Sequence, residues 1–587
     1  MAHLFTVGKE KMKNQSGKWV QAALIAGILF VINLIANFYF FQIDLTGDKR
    51  YTISKSTKEI ISKPEDNIFI KVYLDGEFPS GFKRLRAATL DILSKMRDYN
   101  GNIVYEFEDP TAGTGQELKK RQEEFANDKI SPVLLNFFDG SEMRQKPIFP
   151  FAVVHYQNKK FVVNLLEEQF AGDDEEVVLN KSVELLEYKF ASAFQKIIST
   201  RPKKILVTKG NGELKEDQLF RLEAEMRRNH LVGRVDLDSI MKLDTTIDMV
   251  VVAGPRQKIS TKNLFKIDQY IMAGGKIIWL FDKMDASLDS INLYGMYIPP
   301  DIDAGTDDIL FKYGVRVMPN LIMDLECSSI PQVVGMQGGK PQTELFPWYY
   351  HLAIASTSTH PIVKNIDRVN LAFPSSIDTL KTDAAIKKTI LLESSAYSRV
   401  QLSPVRLSFE ILKSAPDPKK FQDGKKPVAV LLEGSFTSAF ANRLTPELET
   451  LLQSLGMTFV KQGQKNAKQL IVSDADFVKN LVNPTNGETE QIGYNKWERR
   501  YYKGNRDFIV NAVEYMLDGD NIIESRSKEV KLRLLDPVKI KDEKLKWQLI
   551  NVVVPVVILI LFGFGYSFMR RRKYVTPYVK SKIKKDE

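Results

Sequence analysis

Two uncharged apolar stretches, Trp19–Phe41 and Trp547–Met569, bracket a long middle in which apolar positions recur in short alternating or amphipathic runs. Each stretch is 23 residues long, and a helix rising 1.5 Å per residue needs about 20 residues to cross a hydrocarbon core. Both are predicted to span a membrane. Gln21, Asn33 and Asn37 interrupt the first, and Gln548, Asn551 and Pro555 the second; polar groups inside a span face a neighbouring helix or sit near the interface.

Between the spans, Ser54-x-x-Thr57-x-Glu59 reads as a capped helix start. Ile68 to Leu74 alternates as a strand, Phe82 to Tyr99 has helical spacing, and Ile103 to Phe107 alternates again. Runs at Val133 to Phe138, Phe151 to Tyr156 and Lys160 to Leu166 add strands, so residues 45–170 are predicted to form a small mixed α/β domain. The acidic patch Asp173 to Glu176 and a helix Val183 to Ile198 make a connector over 171–200. From Arg201 the rhythm becomes regular. Lys203 to Thr208, Asp248 to Ala253 and Lys276 to Phe281 are continuous apolar strands, separated by helices Glu216 to Asn229 and Thr261 to Ala273. Such alternation predicts a parallel sheet covered on both faces. Val428 to Leu432 and Gln469 to Ser473 are expected to rejoin it, giving an α/β domain over 201–480 with a Pro- and Gly-containing insertion at 290–425. A helix over Asp507 to Leu517 and an extended Ile523 to Pro537 complete a return segment, 481–546, beside the membrane.

Charge orients this arrangement. Residues 1–18 hold four lysines against Glu10, and residues 570–587 hold eight Lys/Arg against Asp586 and Glu587, so the tails carry +3 and +6. The 83 basic and 73 acidic residues of the whole chain, less the tails' 12 and 3, leave 71 against 70. A neutral body with basic juxtamembrane tails follows the positive-inside rule and not nucleic-acid binding. Both termini are expected in the cytoplasm, with the bulk of the chain outside it. A cleavable signal peptide is the competing reading of the first span, but no small-x-small site follows before Asp44.

Little catalytic chemistry is written into the chain. Cys327 is the single cysteine, and the five histidines show no metal-binding spacing, so neither a disulfide framework nor a zinc site is expected. No phosphate loop fits: Gly274-Gly275-Lys276 and Gly338-Gly339-Lys340 lack the required first glycine or Ser/Thr. Gly434-Ser435-Phe436-Thr437 lacks the second glycine of a nucleophile elbow. Acidic pairs such as Asp474 and Asp476 read as loop caps or as a cation site. The remaining marked positions fall at strand ends: Asn211 and Glu213 after the first strand, Gly254 and Pro255 after the second, Asp282 after the third, Glu433 and Ser435 after the Val428 strand. Ligands of open α/β sheets bind beyond the carboxyl ends of strands, so these residues form a candidate crevice; equally, they close turns and cap helices.

The ordered set of Asp44-Leu45-Thr46, Lys49 to Ser54, Lys209 to Leu214, Val428 to Arg443 (VAVLLEGSFTSAFANR), Ile471 to Asn480 (IVSDADFVKN), Phe508 to Leu517 and Arg570 to Tyr574 resembles the auxiliary, substrate-binding-type subunit of gliding-motility ABC transporters, the GldG-like proteins. That resemblance implies a non-enzymatic subunit with no cofactor, a partner permease, a cytoplasmic ATPase and a role in gliding or surface-protein secretion. It also implies a flavodoxin- or class I amidotransferase-like sheet without the catalytic cysteine. Asn211 stands where some relatives have histidine in a G-H-G-E turn. Independently, two spans enclose no pathway and an exported body reaches no ATP, so conduit and energy source belong to other chains. Asn33 and Asn37, four apart on one helix face, are the candidates for contact with the permease. A doubly anchored enzyme or sugar sensor, and a structural periplasmic spacer, are the alternatives.

Overall fold

In the computed structural model, residues 24–31, 33, 52–139, 142–168, 174–199, 201–382, 386–454, 456–463, 467–482, 487–519, 522–526 and 537–574 are described. Two compact units result, 1–529 and 530–587. The fold is mixed α/β, with parallel and antiparallel pairing.

The first layer of the larger unit is a four-stranded sheet of β1 (Ile68–Val72), β2 (Ile103–Phe107), β5 (Phe151–Tyr156) and β6 (Lys159–Asn164), in the order β2-β1-β5-β6. β1 and β2 are parallel across the helix Ser80–Tyr99, whereas β5 is antiparallel to β1 and to β6. Alternation in β1 sends Ile68, Ile70 and Val72 inward. They meet Phe82, Leu85 and Leu93 of that helix and Phe190 and Phe194 of the helix Leu186–Ile198. The Val133 run proves to be one arm of a hairpin, β3 (Val133–Asp139) with β4 (Glu142–Ile148). β4 is too polar to announce itself as a strand. The expected connector helix differs too: two helices, Glu175–Glu184 and Leu186–Ile198, meet at Leu185. Asp174 caps the first by accepting from Glu176 N, so the described part of the acidic patch, 174–176, is a helix start, where negative charge is favoured by the exposed amides.

The second layer is a seven-stranded sheet of β7 (Lys204–Lys209), β8 (Leu231–Asp236), β9 (Met249–Ala253), β10 (Lys276–Leu280), β11 (Ile386–Glu393), β12 (Pro427–Gly434) and β13 (Ala467–Val472). Their order is β11-β12-β13-β10-β9-β7-β8. The five strands from β13 to β8 are parallel, while β12 is antiparallel to both neighbours. Each central strand is buried on both faces. Met249, Val251 and Ala253 face the helices Glu216–Arg227 and Lys503–Leu517, whereas Val250 and Val252 face Thr261–Met272 and Pro446–Ser454.

Residues 290–425 hold short antiparallel pairs and a long hairpin, Cys327–Gln337 with Lys340–Ile354, turned at Gly338 and Gly339 with φ of 57° and 77°. Paired positive φ angles are what a two-residue hairpin turn needs, and glycine adopts them without strain. The hairpin base is packed by Trp348, Tyr350 and Phe421, while Val333, Met336 and Leu345 farther out are exposed.

The described residues of the smaller unit form a helix, Pro537–Tyr574. Among the described residues it is the one helix long and apolar enough to cross a membrane, over Glu543–Arg572. The stretch expected to extend from Ile523 to Pro537 instead has a helical turn at Ile523–Arg526 and a helix from Pro537. The first predicted span falls largely outside the described residues; 24–31 and 33 are helical and exposed, and Asn37 is outside them.

Helix Lys503–Leu517 is seated on the chain edge-on. Asn505 accepts from Asn370 N at 2.7 Å and donates to Asn370 O at 2.8 Å and Phe477 O at 3.0 Å. A Cβ on Gly504 would fall 2.2 Å from Asp367 O and 2.5 Å from Arg368 O. Gly504→Ala is therefore expected to destabilise the body by roughly 1–3 kcal/mol, as overpacking against rigid backbone does, read as a lower urea midpoint. An unchanged midpoint would contradict this seating.

Candidate functional site

β8 lies on one side of β7 and β9 on the other, so the loops leaving β7 and β9 flank the point where strand order reverses, the usual ligand crevice of such sheets. The first loop is Gly210-Asn211-Gly212-Glu213, with φ of 111° at Gly210 and 76° at Gly212. The second begins at Gly254, φ 66°. The chain itself fills the space between them. Arg256 N and Gln257 N donate to Asn211 O at 3.0 and 2.9 Å, and Leu214 N donates to Ala253 O at 2.9 Å. Glu213 turns back to accept from Asn211 N at 2.6 Å. A Cβ on Gly212 would lie 3.2 Å from that of Arg256.

Asp282, just beyond β10, joins this group. Its Oδ1 accepts from Ala475 N at 2.8 Å and its Oδ2 lies 3.6 Å from the Arg256 guanidinium, which also pairs with Asp285. Asp474 accepts from Ala372 N at 2.6 Å and from Asp476 N at 2.8 Å. Burial, reinforced by Asp476, pushes the Asp282 carboxyl well above the ordinary carboxylate range. Asp474 is raised by burial and by Asp282 and Asp476. These carboxyls staple the loops after β10 and β13 to their neighbours, and among the described residues no cluster of three or more His, Cys, Asp or Glu is arranged to hold a metal.

Asn211, Glu213 and Asp282 are therefore brought together, but Glu433 and Ser435 are not. Because β12 runs antiparallel to β13, its carboxyl end falls at the opposite edge, where Glu433 is opposite Lys468. There Glu433 accepts from Tyr515 Oη at 2.7 Å, and Ser435 Oγ donates to Gly463 O. Cys327 sits at the hairpin base, its thiol pushed up to about 12 by burial, which leaves it a poor nucleophile. The motif segments are likewise occupied structurally. Ser438 Oγ and Ala439 N bind the buried Asp268 at 2.7 and 2.8 Å, and Asn480 accepts from Arg221 N at 3.0 Å. Sequence reasoning missed Arg256, whose only local signal was the preceding Gly-Pro turn.

It also missed a seam between the two sheets. Glu514 on helix Lys503–Leu517 lies 3.3 Å from Lys196 and 3.5 Å from His230, and accepts from Asn229 Nδ2 at 3.2 Å. Burial raises the Glu514 carboxyl, but Lys196 and His230 outweigh it and hold the group well below its ordinary range. Lys181 pairs with Asp507 at 3.0 Å and Arg506 with Glu225 at 3.0 Å. A cavity of about 510 Å³ opens beside the Glu514 group, lined by Lys196, Asn229, His230 and Glu514 among others. Its walls come from positions too far apart in sequence for any local pattern to mark them.

The family described as an "ABC-type uncharacterized transport system" matches residues 202–512, and a domain of unknown function (DUF7088) matches residues 47–155. An uncharacterized protein of Borreliella burgdorferi is 22% identical over 579 residues, covering 96% of this chain and all of that one. Among solved structures, the mmIFT52 N-terminal domain aligns with 54% of this chain and 99% of its own at 10% identity, with a TM-score of 0.29.

A folded-state carboxyl raised like Asp282 contributes most to stability below its unfolded pKa, near 4, and that contribution is lost as pH rises through the folded pKa. Urea unfolding of the wild type is expected to show stability falling with pH across this window, and Asp282→Asn to flatten the slope. A variant slope equal to the wild type's would remove Asp282 as its source.

Proposed function

The chain belongs to the auxiliary family of ABC-type transport systems, and on that footing we propose that it is a non-catalytic subunit held in the inner (cytoplasmic) membrane at both ends, displaying its body on the extracytoplasmic side. The family match over 202–512, more than half the chain, carries this reading. Support comes from the crevice at the strand-order reversal, which is closed by Arg256, Gln257 and backbone hydrogen bonds instead of being left open for a substrate. Taking β7 as the first strand, the parallel part of the sheet runs 2-1-3-4-5, the flavodoxin-like order. An amidotransferase-like sheet without its nucleophile fits the same topology.

The apolar helix Glu543–Arg572 ends in Arg570, Arg571 and Arg572, the charge pattern of a cytoplasmic exit. The subunit works with a separate permease and a cytoplasmic ATPase, since one or two spans enclose no conduit and an extracytoplasmic body reaches no nucleotide. The output is gliding motility or surface-protein secretion, as its sequence resemblance implies.

Asn33 and Asn37, four residues apart in the first apolar stretch, are the positions proposed to contact the permease. Replacing Asn33 and Asn37 together by leucine is expected to reduce recovery of the permease in mild detergent by roughly threefold to twentyfold, from the about 0.6–1.7 kcal/mol that a polar contact between spanning helices contributes. Undiminished recovery would remove the contact. Purification of the wild-type chain without any permease or ATPase would sink the subunit assignment itself.

A further inference from the structure

We propose that the cavity between the two sheets is a binding site for a small organic anion, a phosphate or carboxylate on an apolar body. Its volume, about 510 Å³, falls within the 300–1,000 Å³ of ordinary small-molecule sites, and domain seams are where such sites concentrate. One part of its wall is apolar, formed by Ile60, Phe161, Ile198 and Leu517. Another is cationic: Lys159, Lys196, Arg201, Lys203 and Arg228 line it, opposed within the lining by Glu514 and Asp518.

Within the lining itself these cations outnumber the two carboxylates, and carboxylates just outside it pair with some of them. Arg201 and Lys203 share one carboxylate, Asp248, at 2.8 and 3.4 Å. Lys196 is matched by Glu514, and Arg228 by Glu168 and Glu225 at 3.2 and 3.3 Å. The Lys159 ammonium is held by two carbonyls, Ile197 O at 3.3 Å and Ser199 O at 2.7 Å, which orient it at the cavity wall. Behind Lys203, burial together with Lys468 and Lys203 holds the Lys276 ammonium down at about 8. Crowding of like charges at the amino edge of the large sheet means that a bound anion relieves repulsion as well as making new contacts. His230, 9% exposed and in the same wall, turns Nε2 towards Glu514 at 3.5 Å, while its Nδ1 is buried without a hydrogen-bond partner.

Calorimetric titration of the full chain in neutral detergent, at constant ionic strength, tests this with phenyl phosphate, benzoate, inorganic phosphate and the neutral benzyl alcohol. Saturable binding of phenyl phosphate or benzoate at one per chain is expected, tighter than inorganic phosphate and absent for benzyl alcohol; whichever aromatic anion binds more tightly identifies the headgroup. Lys159→Gln and Lys203→Gln should each weaken binding about tenfold, the loss of one charge-assisted contact. Lys119→Gln, which removes an exposed charge on the remote helix Gly115–Asn127, should leave it unchanged. Thermal melts confirm that each variant is folded. Absence of saturable binding of both aromatic anions to the wild type, or equal weakening by Lys119→Gln, would overturn the proposal. The titration needs no transporter subunit, so its failure is distinct from failure of the partner assignment.

Discussion

Everything in the larger sheet follows from strands that are apolar on both faces. β9 has no solvent side: three of its residues enter one core and two the other. At about 1.5–3 kcal/mol per large buried apolar side chain, neither face tolerates exposure, so the sheet requires two helical layers at once. The chain supplies them out of order. Glu216–Arg227 and Thr261–Met272 arrive early, but β13 and Lys503–Leu517 follow only after the long excursion through the hairpin and its neighbours. Asn505 and Asn511 then fasten that late helix to Asn370 and Ile362 of the excursion, so the distant parts of the body are bound to one another.

Closure also explains the character of the carboxyl edge. A crevice normally left for a ligand is crossed by Arg256 and by backbone hydrogen bonds, and its carboxyls spend their oxygens on the amides of Ala475, Ala372 and Asp476. Polar groups conspicuous in the sequence serve as fasteners there. Space, lined by more cations than carboxylates, lies instead at the opposite edge, against the smaller sheet.

The strongly periodic elements were legible. β1, β7, β9 and β10 and the helices between them could be read because their apolar runs have the period of the element and end at glycine or a cap. β8 was not legible, since Leu231–Asp236 is an edge strand interrupted by Gly233 and only partly buried. Nor was the direction of β12 legible: an apolar run specifies burial but not polarity, and reversing it moved Glu433 and Ser435 across the sheet. Arg256 and the seam depend on contacts between residues far apart in the chain, where local patterning has no purchase.

The hairpin turned at Gly338 and Gly339 stands apart from this dense packing. Its outer rungs pair with each other, and among the described residues a Cβ on either glycine would meet nothing within 4 Å. An epitope or fluorophore grafted between those two residues would enlarge a loop tip without displacing a core side chain. Such a graft offers a physical handle for reporting where the body resides in an intact cell.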